Sequence, residues 1–252
     1  MNGDLKLEDF NPALIGRKVI YFPSVTSTID IAQQEAKNGA REGLVIIAGK
    51  QTAGRGRRNR VWLSPEGCLA ISILLRPALS RLPQLIMITS LAVVRTIKEV
   101  SGLNTQIKWP NDILLDGKKV CGILVENEIK GDTVNYSIVS TGINLNCDLS
   151  TLAGTGQEVT SLSFEIGHDI PVGLFVRDLL TQMDELYFSP HEIFESWRTN
   201  LMTLGKKVRV SSDKAIDEGV AESVSEDGTL WLRRTDGNLV AVMVGDVTLR
   251  NI

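Results

Sequence analysis

Asp116-Gly117 sits between two strand-length apolar runs, 112–115 and 120–126, and this short link constrains the chain more than any other feature. A two-residue Asp-Gly connection adopts a left-handed turn whose twist matches that of two antiparallel strands, so it predicts a hairpin. Gly131-Asp132 predicts the next reversal, ahead of a strand over 133–141, and residues 107–109 read as a short strand before both.

Other strand-length apolar runs cover 18–22, 44–48 and 69–75. Between the first two, Ile29, Ala32 and Ala36 share one helical face, with Ser27 or Thr28 as the expected N-cap and Asn38-Gly39 as the stop. A longer helix is predicted over 84–100, with Leu85, Ile88, Leu91, Ala92 and Ile97 inward, and two more over 172–186 and 192–201. After Leu204-Gly205 the chain turns strand-rich, with hairpin links at Asp227-Gly228 and Asp236-Gly237, as in a small antiparallel barrel. The expected fold class is therefore α+β, a mixed sheet packed with helices over residues 1–203, followed by a small barrel over 204–252.

A hydrophobic share of 43% with 23% charged residues is that of a soluble globular chain, and no apolar stretch is long enough to span a bilayer. The first ten residues lack the basic start and apolar core of a signal peptide, so cytoplasmic residence is the expectation. Cys68, Cys121 and Cys147 are scattered and read as buried reduced thiols. The only histidines, His168 and His191, have no second ligand at zinc spacing, and His191 is expected near a helix start after Pro190.

Against a net charge of only −3, the segment Gly54-Arg55-Gly56-Arg57-Arg58-Asn59-Arg60 concentrates four guanidinium groups. Guanidinium grips phosphate or carboxylate with paired hydrogen bonds, and glycine lets backbone N–H groups approach the same anion. The segment reads as an anion clamp on a loop between two strands; the competing reading is a solvated or nucleic-acid-binding basic loop. Lys108-Trp109-Pro110-Asn111-Asp112 joins a cation, an aromatic face, an amide and a carboxylate, where Asp112 suits either a divalent cation or the orientation of a lysine. In the following strand, simple alternation sends Lys119, Cys121 and Ile123 to one face and Lys118, Val120, Gly122 and Leu124 to the other, with Gly122 leaving room for a ligand. Gly142-Ile143-Asn144 closes the series.

The order of these motifs, from Ser27-Thr28 through Gln51-Thr52-Ala53-Gly54-Arg55-Gly56-Arg57-Arg58 with Trp62, then residues 108–112, Lys119 before Gly122-Ile123-Leu124, and Gly142-Ile143-Asn144, resembles the biotin protein ligase family across nearly the whole chain. The resemblance implies a class II synthetase-like catalytic domain with an SH3-like C-terminal barrel. It implies that MgATP converts the biotin carboxylate to biotinyl-5′-AMP, from which a lysine of a biotin carboxyl carrier protein domain displaces AMP. Lys119 is implied as the catalytic cation, with Arg55 and Arg57. Ser27, Thr28, Ile29, Gln51, Gly54, Arg55, Gly56, Arg57, Lys119, Gly122, Ile123 and Leu124 are implied around biotin. Arg55, Arg57, Arg58, Arg60, Trp62, Asn111, Asp112, Lys119 and Asn144 are implied around ATP, with Trp62 facing adenine and Asp112 supporting Mg2+.

Two positions depart from the family pattern: Ile29 stands where some members place asparagine, and Asn59 where glycine is usual. Many relatives carry an N-terminal DNA-binding repressor domain; the short segment ahead of residue 18 has no recognition-helix pattern, so a ligase without DNA binding or membrane association is expected. A homodimer is common among members. The rival readings are a lipoate ligase or octanoyltransferase and a non-catalytic nucleic-acid-binding protein.

Overall fold

The computed structural model describes residues 7, 10–152, 158–189, 193–212, 216–243 and 247–251. In chain order the first sheet comprises β1 (Lys18–Phe22), β2 (Leu44–Ala48), β3 (Leu69–Leu75), β4 (Gln106–Lys108), β5 (Asp112–Leu115), β6 (Lys118–Lys130) and β7 (Thr133–Ile143). Its spatial order is β1-β2-β3-β7-β6-β5-β4. The β1/β2 pair is parallel and the other neighbours are antiparallel, so the sheet is mixed as expected. The parallel pair is joined through α1 (Thr28–Lys37), because parallel neighbours need a long crossover. Asp116 adopts the left-handed conformation (φ 47°) at the β5/β6 link, which is what the Asp-Gly turn requires.

One face of this sheet, carrying Val45, Ile47, Ile71, Ile73 and Val139, packs under α2 (Leu82–Ser101) and α4 (Val172–Phe188) in the main core. Between these two helices in sequence lies the short α3 (Leu162–Ile166), and α5 (Ile193–Thr199) follows α4. The other face carries Leu44, Ile46, Leu74 and Ile138 and packs against Ile29, Ala32 and Ala36 of α1. Asp184, buried on α4, accepts hydrogen bonds from the backbone N–H groups of Ala13 (2.6 Å), Leu14 (3.0 Å) and Ile15 (2.8 Å), tying the chain's start to a helix far along it.

The C-terminal strands β8 (Lys207–Ser212), β9 (Ile216–Val224), β10 (Leu230–Arg233), β11 (Leu239–Val242) and β12 (Val247–Asn251) form a second sheet, all antiparallel, in the order β11-β10-β9-β8-β12. It meets the first at Trp109, which is 1% exposed. The Trp109 backbone N–H donates to Thr203 Oγ1 (3.0 Å), and its indole N–H donates to the Gly228 carbonyl (2.9 Å). No helix among the described residues is long and apolar enough to cross a membrane. All three cysteines are free and buried. His168 lies exposed near the Asp169 carbonyl, and His191 falls outside the described residues.

Candidate active site

On the α1 side, the strand register arranges side chains in rows that shrink toward one end of the sheet. Leu44, Leu74 and Ile138 lead to Ile46, Ser72, Ser140 and Leu124, and then to Ala48, Ala70, Gly142 and Gly122, with Asp112 beyond. The small residues leave a hollow, and the Trp62 indole covers its glycine end. A Cβ on Gly142 would stand 2.3 Å from the ring and one on Gly122 2.9 Å away, so both positions need glycine to admit the indole. The resulting cavity measures about 180 Å³.

Trp62 arrives on the arginine segment, which folds back on itself as a narrow arm. Bridges at Gln51/Ser64 and Arg55/Val61, and a hydrogen bond from the Trp62 N–H to the Gly54 carbonyl (2.9 Å), hold the arm together. A side chain on Gly54 would meet the Trp62 carbonyl at 2.5 Å. The left-handed residue in this arm is Arg58 (φ 57°, ψ 39°), one position before Asn59. The arginines do not converge on one point. Arg55 pairs with Asp30 of α1 (2.7 Å) and Glu126 (3.5 Å), Arg57 donates to Asn111 Oδ1 (2.8 Å), and Arg58 lies 3.5 Å from the Ser211 carbonyl of the second sheet.

One end of the cavity is neutral and hydroxyl-rich. Ser27 precedes α1 but its hydroxyl makes no capping bond. The cap is supplied instead by Gln51, whose Oε1 accepts from the Thr28 N–H (2.9 Å) and from the Thr28 hydroxyl (3.2 Å). Behind Thr28, Ser72 Oγ donates to Thr28 Oγ1 (2.8 Å) and lies 2.9 Å from Ser140 Oγ. The Ser27 hydroxyl is buried with no hydrogen-bond partner among the described residues.

The other end is cationic. Lys119 Nζ is 2.6 Å from Asp112 Oδ1, both side chains being 16% exposed, and stands 5.2 Å from the centre of the Trp62 ring. Strict alternation fails here. Residues Ile113 and Leu114 of β5 face Cys121 and Lys119 of β6, so Val120 is an extra, bulged residue. The bulge returns Lys119 to the face of Gly122, with its Cε 3.2 Å from where a Gly122 Cβ would be, and leaves Val120 and Cys121 both in the core. Burial accordingly pushes the Cys121 thiol well above its ordinary value, the nearby Lys119 charge opposing this. Residues 158–160 clamp the Lys119 backbone from the side: its N–H donates to the Glu158 carbonyl and its carbonyl accepts from the Thr160 N–H. The Asn144 amide, 2% exposed, donates to the carbonyls of Thr160 (2.9 Å) and Lys119 (3.3 Å). The Asn111 amide donates to the Ile123 carbonyl (2.8 Å). Both asparagine amides are thus committed to backbone that shapes the site.

Of the residues implied around biotin and ATP, all line this cavity except Ser27 and Gly54. Sequence reasoning missed Ala70, Ser72 and Ser140. The signal that marks the serines is a small polar residue in an apolar strand at a position facing α1. Asp112 is the one carboxylate among the lining residues, and no group of three or more His, Cys, Asp or Glu side chains converges among the described residues. Such a set suits Mg2+ arriving with nucleotide phosphates, for which one protein carboxylate suffices, rather than a resident ion.

Fold and site together define an α+β ligand-binding domain with a neutral polar pocket at one end, cations at the other and an arginine arm across it. The pattern of the Biotin/lipoate A/B protein ligase family matches residues 21–144. The bifunctional ligase/repressor BirA of Bacillus subtilis is 35% identical over 235 residues, covering 89% of this chain and 72% of that protein. The biotin–[acetyl-CoA-carboxylase] ligase of Paracoccus denitrificans is 33% identical over 77% of this chain and 86% of its own. Among solved structures, the biotin protein ligase from Aquifex aeolicus in complex with biotin and ATP superimposes with a TM-score of 0.78 at 27% identity, covering 94% of this chain and all of that one. The chain belongs to the biotin/lipoate protein ligase family, on its biotin protein ligase side.

Proposed function

We propose that this protein is an ATP-dependent biotin protein ligase that activates biotin as biotinyl-5′-AMP and transfers it to a lysine of a biotin carboxyl carrier protein domain. The observation that carries this reading is the polarity of one cavity, uncharged hydroxyl and amide groups of Thr28 and Gln51 at one end and Lys119 at the other, with the arginine arm across it. Biotin has the same polarity, with a neutral ureido head, an apolar middle and a carboxylate tail. The ureido ring belongs at Thr28, Gln51 and the buried Ser27, and the valeryl chain along Gly122, Ile123 and Leu124.

In the first step a biotin carboxylate oxygen bonds the α-phosphorus while the bond to the β-phosphate oxygen breaks, and pyrophosphate leaves. Two anions must approach each other, so fixed cations lower the barrier. Lys119 neutralises charge growing between carboxylate and α-phosphate; Arg55, Arg57 and Arg58, which point apart in this structure, turn with Arg60 to the carboxylate and phosphates when these arrive; Trp62 offers a ring face to adenine. Asp112 keeps Lys119 aimed and helps receive the Mg2+ of MgATP. In the second step the neutral carrier amine attacks the acyl carbon, AMP leaves with the C–O bonding electrons, and the amine proton is released.

The same reading makes the C-terminal sheet a small SH3-like barrel, its own unit over 204–252, and the protein cytoplasmic. Incubation with MgATP, a carrier domain and either biotin or lipoate tests it: biotinyl mass appearing on the carrier, with pyrophosphate release, is expected. Lipoyl mass alone would overturn it.

A further inference from the structure

The buried hydroxyls behind the neutral end have only one consistent arrangement of protons. The Thr28 N–H can only donate, so the Gln51 atom it meets is the carbonyl Oε1, which can only accept. The Thr28 hydroxyl, also bonded to that oxygen, must then give its single proton to Gln51. Ser72, 2.8 Å away, must in turn give its proton to Thr28. The remaining contact, 2.9 Å between Ser72 and Ser140, can be a hydrogen bond only if Ser140 donates. The chain of donation therefore runs Ser140, Ser72, Thr28, Gln51, and its two ends face the cavity with opposite character. Ser140, which lines the cavity, keeps only acceptor lone pairs for a ligand, while Gln51 keeps its NH2 as donor.

We infer that Ser140 is a specificity-determining residue that accepts one ureido N–H of biotin, with Ser72 as the buried positioning residue that forces this acceptor character. The inference rests on the proposed biotin ligase function and deepens it. Ser72 is fully buried and touches the ligand only through its neighbours, whereas Ser140 keeps slight exposure toward the cavity. The two residues are direct partners across β3 and β7, so the backbone ladder holds their oxygens in register. A ligand presenting an acceptor where biotin presents N–H would set two acceptors face to face with no proton between them, and the relay cannot reverse because the Thr28 amide fixes its far end.

Calorimetric titration tests this on the full chain with biotin and with the two cyclic carbamate analogues in which one or other ureido N–H is replaced by oxygen. Wild-type protein is expected to bind one carbamate isomer about tenfold more weakly than biotin, the scale of a lost hydrogen bond to a buried acceptor. Ser140→Ala should weaken biotin by about the same factor and abolish the discrimination between isomers, with the loss appearing mainly in KM for biotin rather than kcat. Ser140→Thr, which keeps the oxygen, should restore the discrimination. Equal binding of biotin and both carbamates by the wild type would overturn the assignment without any variant needing to fold, and so would Ser140→Ala that discriminates as the wild type does. Wild-type protein that takes lipoate and ignores biotin would instead overturn the ligase reading itself.

Discussion

Lys119 Nζ is held between two unlike partners, the Asp112 carboxylate at 2.6 Å and the Trp62 ring centre at 5.2 Å. A cation so placed has its direction set before any substrate enters, which is the condition under which a fixed charge stabilises a transition state most. Lys119→Ala is expected to retain biotin binding and to lose pyrophosphate release by about 100- to 1000-fold. Single-turnover pyrophosphate release measured beside calorimetric biotin binding checks this. An unchanged release rate would remove Lys119 from the reacting centre.

Gly142→Ala introduces a methyl group at 2.3 Å from the Trp62 indole, a distance no side chain tolerates. The ring must leave the glycine floor, and the arginine arm that carries it must shift. Activity at subsaturating ATP should fall at least about tenfold, since arm and ring are displaced together. Steady-state kinetics with varied ATP give the answer, and a KM for ATP equal to that of the unaltered protein would show that the indole is not held there.

Trp109→Phe keeps most of the buried ring but removes the proton that reaches Gly228. A carbonyl left without its donor in a buried seam costs about 1–3 kcal/mol. Urea denaturation should show a loss of that size. Proteolysis should also reach the second sheet more readily, because the bond spans the two sheets. A variant matching the parent in both measurements would mean that water replaces the indole N–H.

Asp184→Ala strips three backbone N–H groups, those of Ala13, Leu14 and Ile15, of one shared acceptor. The expected destabilisation is about 2–4 kcal/mol, as for other losses of a buried charge that satisfies several donors. Thermal unfolding reads the change, and cleavage of the first residues by added protease should rise in parallel. A shift of less than about 1 kcal/mol would place the anchoring elsewhere.

The strands over 106–143 are legible in the sequence because Asp116-Gly117 and Gly131-Asp132 mark their ends chemically. The helix over 84–100 is legible because its apolar face repeats without interruption, and it extends to Leu82–Ser101. Periodicity also carries the α1 face. It does not carry the exceptions to periodicity. The bulge at Val120 is invisible in the strand's own residues, since it exists only as a mismatch with β5, and the predicted face of Lys119 is reversed as a result. Ser27 has the right identity for an N-cap, yet Gln51, remote in sequence, takes the bond. The serines beneath Thr28 escape notice because each looks harmless alone. Their meaning is a chain of donors assembled from three separate elements.

The floor of the cavity is peptide backbone where Gly142 and Gly122 stand side by side. Backbone has no rotamers. The Trp62 indole and the Lys119 stem rest directly on it, so the surface beneath them is set by strand spacing and rise, quantities the sheet holds constant. The two side chains at the cationic end thus share a floor that cannot rearrange under them, and any change in their separation has to come from the indole and the lysine themselves.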